Sequence, residues 1–275
     1  MCGPTASGKS EISDALAEWL GELRGGYVPT LVVDSMQVYR EIPTITNQQR
    51  GRPADLTGIV SVTDEWTVAR HKETAEEIIA RIDTPFVLDA GTGMYLNAIL
   101  LDVPLAPKVD ERTRRLAQTV TAGAANPRRA SRAKELELAR VAQPGSIWDG
   151  DPRYDTTLIY LRPPRETLDA AIARRSERIA REGLLEAERM IEMPAANASV
   201  RDSIGVRELT RYLIGEITLQ EAHDQILTRT RRLARRQMRW FDKLAHTLSG
   251  RSTVHLFEAA SLIDILNYMH DRISE

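Results

Sequence analysis

The sequence predicts an α/β fold of the P-loop NTPase-like kind: a parallel sheet flanked by helices and interrupted by an α-helical insertion. Three observations predict it. A glycine-rich loop, Gly3-Pro4-Thr5-Ala6-Ser7-Gly8-Lys9-Ser10, leads directly into a helical pattern. Helix-period and strand-like segments then alternate as far as Leu101. From Pro104 to about Asp155 the aliphatic content falls while Arg and Ala rise, after which a strand-like run returns. Alternation of this type is the mark of a doubly wound parallel sheet.

The elements follow in order. Ile12, Leu16, Trp19, Leu20 and Leu23 recur at helical spacing and predict a helix over 10–23, stopped by Gly25-Gly26. Leu31-Val32-Val33 reads as a buried strand that begins after Pro29 and ends at Asp34. Residues 41–58 read as a polar loop. An amphipathic helix is expected over 66–82, with Val68, Ala75, Ile78, Ile79 and Ile82 inward. Phe86-Val87-Leu88 is the next strand, Gly91-Thr92-Gly93 a tight turn, and Tyr95–Leu101 a helix. Two charged helices are expected near 109–122 and 127–142, a strand over 157–161, and a charged helix or helix pair over 165–192. A helix opens at Ser203-Ile204-Gly205, and a strongly basic one covers 219–244. A last strand, 253–257, precedes a C-terminal helix with Leu262, Ile265, Leu266 and Met269 inward. The chain thus divides into a first core segment (1–105), an insertion (106–156) and a second core segment (157–275).

Composition excludes several function classes. The net charge of -2 over 275 residues rules out a generally basic nucleic-acid binder, so any such surface is local. The single cysteine, Cys2, allows no intrachain disulfide and makes a cytoplasmic setting the default expectation. No run reaches the ~18 apolar residues that span a bilayer. A monomer is the default expectation. Only Met1 and Cys2 precede the loop, where a buried strand ordinarily aims it. The expectation is a start downstream of the true one, or a sheet lacking most of a central strand.

Four groups carry chemistry. In the loop, successive backbone N–H groups suit phosphate oxygens, Lys9 adds a point charge, and the Ser10 hydroxyl suits Mg²⁺. Asp34, at the carboxyl end of a strand beside that loop, can hold Mg²⁺ or act as a general base, or simply cap a turn. The Thr92 hydroxyl can donate to a bridging phosphate oxygen, although a two-glycine turn also has a plain structural use. The helix carrying Arg229, Arg231, Arg232, Arg235, Arg236 and Arg239 has no interleaved carboxylate and ends in Trp240-Phe241. That pattern suits phosphates and stacked bases, or a charged surface paired elsewhere.

Four segments, in this order, resemble the tRNA dimethylallyltransferases, also called tRNA isopentenyltransferases. They are the loop 3–10, Asp34-Ser35-Met36-Gln37-Val38-Tyr39-Arg40, Gly91-Thr92-Gly93-Met94-Tyr95, and Leu233-Ala234-Arg235-Arg236-Gln237-Met238-Arg239-Trp240. The resemblance runs from Gly3 to about residue 257. It implies a loop that grips the diphosphate of dimethylallyl diphosphate with Mg²⁺, and an acceptor N6 of adenosine 37 in tRNA. Asp34 then matches the residue that accepts the amine proton, and Thr92 the one that bonds the leaving group. Arg231 matches the arginine near the diphosphate. Ser35, Met36, Gln37, Arg114, Arg128, Arg129, Arg132, Arg207, Arg235, Arg236, Gln237 and Trp240 match segments that touch the acceptor RNA. The chain departs from the pattern in four places, the first being the loop Ile42–Gln48, which replaces the usual Gly-Thr-Ala-Lys-Pro. Ala54-Asp55-Leu56 stands where the family has His-His-Leu, Ala90 stands where it has glycine, and the insertion is shortened. Prenyl transfer to free AMP, ADP or ATP, shared with plant enzymes of related sequence, and a small-molecule kinase remain open at this level.

Overall fold

The computed structural model describes all residues except 126, 143–144, 252–253, 260–261 and 275, with side chains also left undescribed at 127–128, 254–256, 259 and 272–274. The elements run α1 (Lys9–Arg24), β1 (Thr30–Val33), α2 (Pro43–Thr46), α3 (Val68–Ile79), β2 (Val87–Ala90), α4 (Gly93–Leu100), α5 (Glu111–Val120), α6 (Pro127–Leu138), β3 (Thr156–Leu161), α7 (Arg165–Glu182), α8 (Leu184–Glu192), α9 (Ala198–Arg201), α10 (Val206–Leu213), α11 (Leu219–Leu248), β4 (Val254–Ala259) and α12 (Leu262–Ser274).

The sheet is small and parallel. β1 pairs with β2 (Val33 opposite Ala90), and β3 pairs with β4 (Leu161 opposite Ala259). Between the two pairs lies a central position occupied by Met1-Cys2. Cys2 bridges Ala90 on one side and Tyr160 on the other. Its N–H donates to Ile159 O at 2.8 Å, its carbonyl accepts from Leu161 N at 2.8 Å, and Met1 O accepts from Ala90 N at 3.0 Å. Two residues therefore supply the ladder that joins the halves and aim the loop at 3–10. The Cys2 side chain is buried there, and burial pushes its thiol up to about 12, which makes it inert packing.

β1 is buried at every position although it is the outer strand of its pair, because the segment at Asp55 bridges its free edge at Leu31. α1 ends at Gly25, whose φ of 68° is the left-handed value that a helix C-terminus uses to satisfy its last carbonyls. α7 and α8 resolve the helix-or-pair expectation as a pair, broken at Gly183. A Cβ there would sit 2.7 Å from Ile179 O and 2.9 Å from Ile45, so the close approach excludes a side chain. α11 begins at a reciprocal cap between Thr218 and Glu221 and continues to Leu248, one turn beyond the expected end.

The polar-loop expectation for 41–58 needs correction. The segment contains the short helix α2, and Ile42, Ile45 and Leu56 are part of the main core. Its first turn has no cap of its own. The Glu186 carboxylate of α8 accepts from Thr44 N at 2.6 Å and Ile45 N at 2.8 Å. A cap supplied from 141 residues away leaves no local sequence signal. Among the described residues no helix is long and apolar enough to cross a membrane.

Candidate active site

A cleft of about 1650 Å³ opens at the carboxyl ends of β1 and β2. It is bounded by the loop 5–10, the Asp34–Gln37 segment, the Gly91–Gly93 turn, α7 and α11. This is where ligands bind in open α/β sheets.

Asp34 sits at its centre. Its Oδ1 accepts from Met36 N at 2.8 Å and Gln37 N at 3.3 Å, so the carboxylate also organises the turn that follows β1. Its Oδ2 lies against Gly91, where a Cβ would come within 2.5 Å. Burial raises the Asp34 pKa above the ordinary carboxylate value, opposed by the two backbone N–H bonds and by Lys9 and Arg175. A carboxylate raised in this way is a better proton acceptor than one in water.

Thr92 faces Asp34 from the neighbouring strand end. Its Oγ1 accepts from Ser35 N at 3.1 Å. Its own proton has only long partners, Asp34 Oδ2 at 3.5 Å and Ser35 Oγ at 3.4 Å. The hydroxyl is thus oriented by a firm bond and left with a weakly engaged donor.

Gln237 of α11 locks the loop to the turn. It accepts from Thr5 N at 2.7 Å and donates to Gly91 O at 2.7 Å. Trp240, one turn further on, packs on Gly93, where a Cβ would lie 2.2 Å from the indole. Its Nε1 donates to Asn97 Oδ1 at 3.1 Å, while Asn97 Nδ2 donates to Ile147 O at 3.1 Å. Trp148 stacks obliquely on Trp240 at 4.9 Å, with Lys243 over the Trp148 ring. A buried asparagine and two tryptophans therefore fasten the segment before β3 to the wall of the cleft.

Within the loop, Gly8 takes φ 83° and Ala6 φ 65°, left-handed values that fold the chain tightly ahead of α1. Lys9 Nζ donates to Pro4 O at 2.8 Å. Burial lowers the Lys9 pKa, and the charges of Asp89 and Asp34 oppose that shift. The Ser7 hydroxyl is buried with no protein partner, and Ser10 lines the cleft.

The residues singled out from the sequence fall into two groups. Thr5 to Ser10, Asp34, Ser35, Met36, Gln37, Thr92, Arg236, Gln237 and Trp240 meet around the cleft. Gly3 and Pro4 lie buried beneath it, with no room for a Cβ on Gly3, 2.8 Å from Leu161 O. The others lie apart. Arg231 does not line the cleft; it turns toward α7, with Nε 3.8 Å from Asp169 Oδ1. Arg114 pairs with Glu65 at 2.6 Å. Arg132 folds back on Glu135 and on the carbonyls of Ala106 and Pro107. Arg207 pairs with Asp202. Arg129 and Arg235 are exposed, and the Arg128 side chain is outside the described residues.

The three arginines by which α7 lines the cleft, Arg174, Arg175 and Arg178, were not singled out from the sequence, nor were Arg50 and Arg52 from the loop after α2. Burial pushes the Arg175 guanidinium down to about 10, opposed by Asp34 and reinforced by Arg178, so it remains a cation facing the carboxylate. A signal for it existed. Arg175 lies three residues after Ile172 and four before Ile179, both buried, on the flank of the inward stripe of α7.

The sequence profile of the IPP transferase family matches residues 37–244. This chain belongs to the IPP transferase family. It is similar to the tRNA dimethylallyltransferase of Rubrobacter xylanophilus, at 59% identity over 281 residues, covering 99% of this chain and 97% of the relative. It is also similar to that of Streptococcus pyogenes, at 30% identity over 303 residues, covering 100% and 95%. Among solved structures, the full-length tRNA isopentenylpyrophosphate transferase from Bacillus halodurans superposes with a TM-score of 0.71 at 25% identity, over 99% of this chain and 95% of that one. A tRNA isopentenylpyrophosphate transferase from Staphylococcus epidermidis shares the fold, with a TM-score of 0.70 at 23% identity over 99% and 97%. The match to the IPP transferase profile spans the Gln37 edge of the cleft, the Gly91–Gly93 turn, α7 and most of α11, all of which line the cleft.

Proposed function

We infer that this protein transfers the dimethylallyl group of dimethylallyl diphosphate to N6 of adenosine 37 in tRNA, releasing diphosphate. The observation that carries this reading is Asp34, a buried carboxylate of raised pKa, facing Thr92 and the glycine-rich loop across one cleft.

The reaction forms a bond between N6 and the allylic carbon and breaks the bond from that carbon to the bridging oxygen. The leaving diphosphate takes the electron pair. The N6 proton passes to the Asp34 carboxylate, a general base beside a poor amine nucleophile. The Thr92 hydroxyl, with its weakly engaged proton, donates to the departing oxygen. Lys9, the amides of Gly8, Lys9 and Ser10 and the orphaned Ser7 hydroxyl supply donors for the diphosphate. Arg175 adds a guanidinium from α7, a position that Arg231 does not occupy here. We propose that the loop works as a P-loop in this sense, on a prenyl diphosphate.

The donor set around Ser10 fits Mg²⁺ held largely by the substrate. Among the described residues no cluster of His, Cys, Asp and Glu would cage a metal alone. Mg²⁺ usually takes one or two protein oxygens together with phosphates and waters. Ser10 would hold it, and it would neutralise charge on the diphosphate.

The exposed Arg235 and Arg236 on α11, and the insertion 106–156 with Arg128 and Arg129, are proposed to grip the anticodon stem-loop, with the target adenine unstacked into the cleft. Arg114, Arg132 and Arg207 would have to exchange their present carboxylate partners for phosphates. Labelled dimethylallyl diphosphate offered with unmodified bulk tRNA or with AMP tests the reading. Label on adenosine in tRNA is expected. Label in AMP alone would move the acceptor to free nucleotides, and label in neither would end the transferase reading.

A further inference from the structure

Under the cleft lies an ionic cluster that the reaction does not use. Arg50, in the loop after α2, has a side chain only 4% exposed. Its Nη2 is 2.6 Å from Asp14 Oδ1, on α1, and its Nη1 is 2.6 Å from Asp89 Oδ2, on β2. It also donates to Ser10 O at 3.3 Å, and Asp14 Oδ2 accepts from Gly51 N at 3.3 Å. Asp89 is 3% exposed. One guanidinium is thus fixed between two carboxylates, directly behind the start of the helix that carries Lys9.

A buried carboxylate left without a partner is strongly destabilising, and a mobile cation within reach relieves that cost by pairing with it. For Asp89 that cation is Lys9. Both line the floor of the cleft, and Asp89 is the charge that most strongly favours the ammonium form of Lys9. A Lys9 captured by Asp89 would be lost to a ligand. We propose that Arg50 is a positioning residue for the diphosphate site: by holding Asp89, and being held by Asp14, it keeps Asp89 from drawing Lys9 away from the diphosphate. The proposal rests on the reading that Lys9 binds the diphosphate.

Two double variants with the same net buried charge separate this role from plain structural support. Arg50→Met/Asp14→Asn leaves Asp89 as the single unpaired carboxylate. Arg50→Met/Asp89→Asn leaves Asp14 instead. The probe is inorganic diphosphate, titrated by calorimetry, with thermal unfolding recorded for each variant. The first variant should bind diphosphate about 10- to 100-fold more weakly than the unaltered protein, the range for losing a hydrogen bond to a charged group. The second should bind within about threefold of it, a difference below ~1 kcal/mol. Equal affinities in the two variants, whatever their stabilities, would overturn the proposal. Lys9→Met provides the control. If it binds diphosphate as tightly as the unaltered protein, the Lys9 reading fails and takes the Arg50 proposal with it. If Lys9→Met weakens binding but the two double variants agree, only the Arg50 proposal fails.

Discussion

The wall formed by β1, β2 and the Gly91–Gly93 turn is locked, whereas the face of α11 that leads to it is open. On the wall, Asp34, Thr92, Gln237 and Trp240 are each held by hydrogen bonds of defined partners, and Gly91 and Gly93 leave no space for a methyl group. On the outer face of α11, Arg232, Arg235 and Arg239 project into solvent, while Arg236 sits at the edge of the cleft. The contrast separates two tasks. Groups that meet the reacting atoms must be preorganised, because misplacement costs rate directly. Groups that meet an RNA backbone need charge and reach, and adjust to a flexible polyanion.

If the division holds, substitutions on the wall lower kcat and those on the helix raise KM for tRNA. The largest effect is expected from Asp34→Asn, which should reduce kcat by about 10²–10⁴, the usual worth of a general base, with diphosphate affinity nearly unchanged by calorimetry. Thr92→Val should follow, at about 10²–10³ in kcat, as for loss of one donor to a developing negative charge. Gly93→Ala forces its methyl group against Trp240. Overpacking of this kind should cost about 1–3 kcal/mol in chemical denaturation, with a rise in KM for tRNA as the indole shifts. Smaller still, Arg235→Glu should raise KM for tRNA several-fold and reduce the slope of log affinity against log salt by about one unit, with kcat retained.

The direction of the Asp34 shift adds a check on stability. Its folded pKa lies above the unfolded value, so the folded protein binds the extra proton, and stability falls as pH rises through that window. At neutral pH the ionised carboxylate destabilises the fold. Asp34→Asn should therefore raise Tm at pH 7 and leave it unchanged below the ordinary carboxylate pKa. Activity of the unaltered protein should fall on acidification through a pKa above 3.8.

Much of the wall was legible in the sequence because each of its parts is a short contiguous motif. The loop 3–10, Asp34–Gln37 and Gly91–Gly93 all end an apolar run, which fixes them to one edge of the sheet. Trp240 stood out at the end of the arginine pattern, and Gln237 came only with the family resemblance. What escaped depends on tertiary placement. Arg50 looks like any loop arginine until Asp14 and Asp89 converge on it from α1 and β2. Arg231, Arg232, Arg235 and Arg236 cannot be told apart by residue type. Helix rotation turns Arg231 toward Asp169 and Arg236 toward the cleft. α2 was missed because its cap, Glu186, belongs to α8. The expectation was a start downstream of the true one or a sheet lacking most of a central strand; Met1-Cys2 holds the central position with backbone bonds and two buried side chains.

Single-turnover transfer separates the locked wall from the open helix most directly. Enzyme loaded with labelled dimethylallyl diphosphate is mixed with saturating unmodified tRNA, using Arg235→Glu/Arg239→Glu and Asp34→Asn in parallel. The double arginine variant should react at the rate of the unaltered protein once tRNA saturates, and Asp34→Asn should remain slow at every tRNA concentration. A double arginine variant that stays slow at saturation, or an Asp34→Asn variant that reaches full rate, would contradict the division of labour between the two.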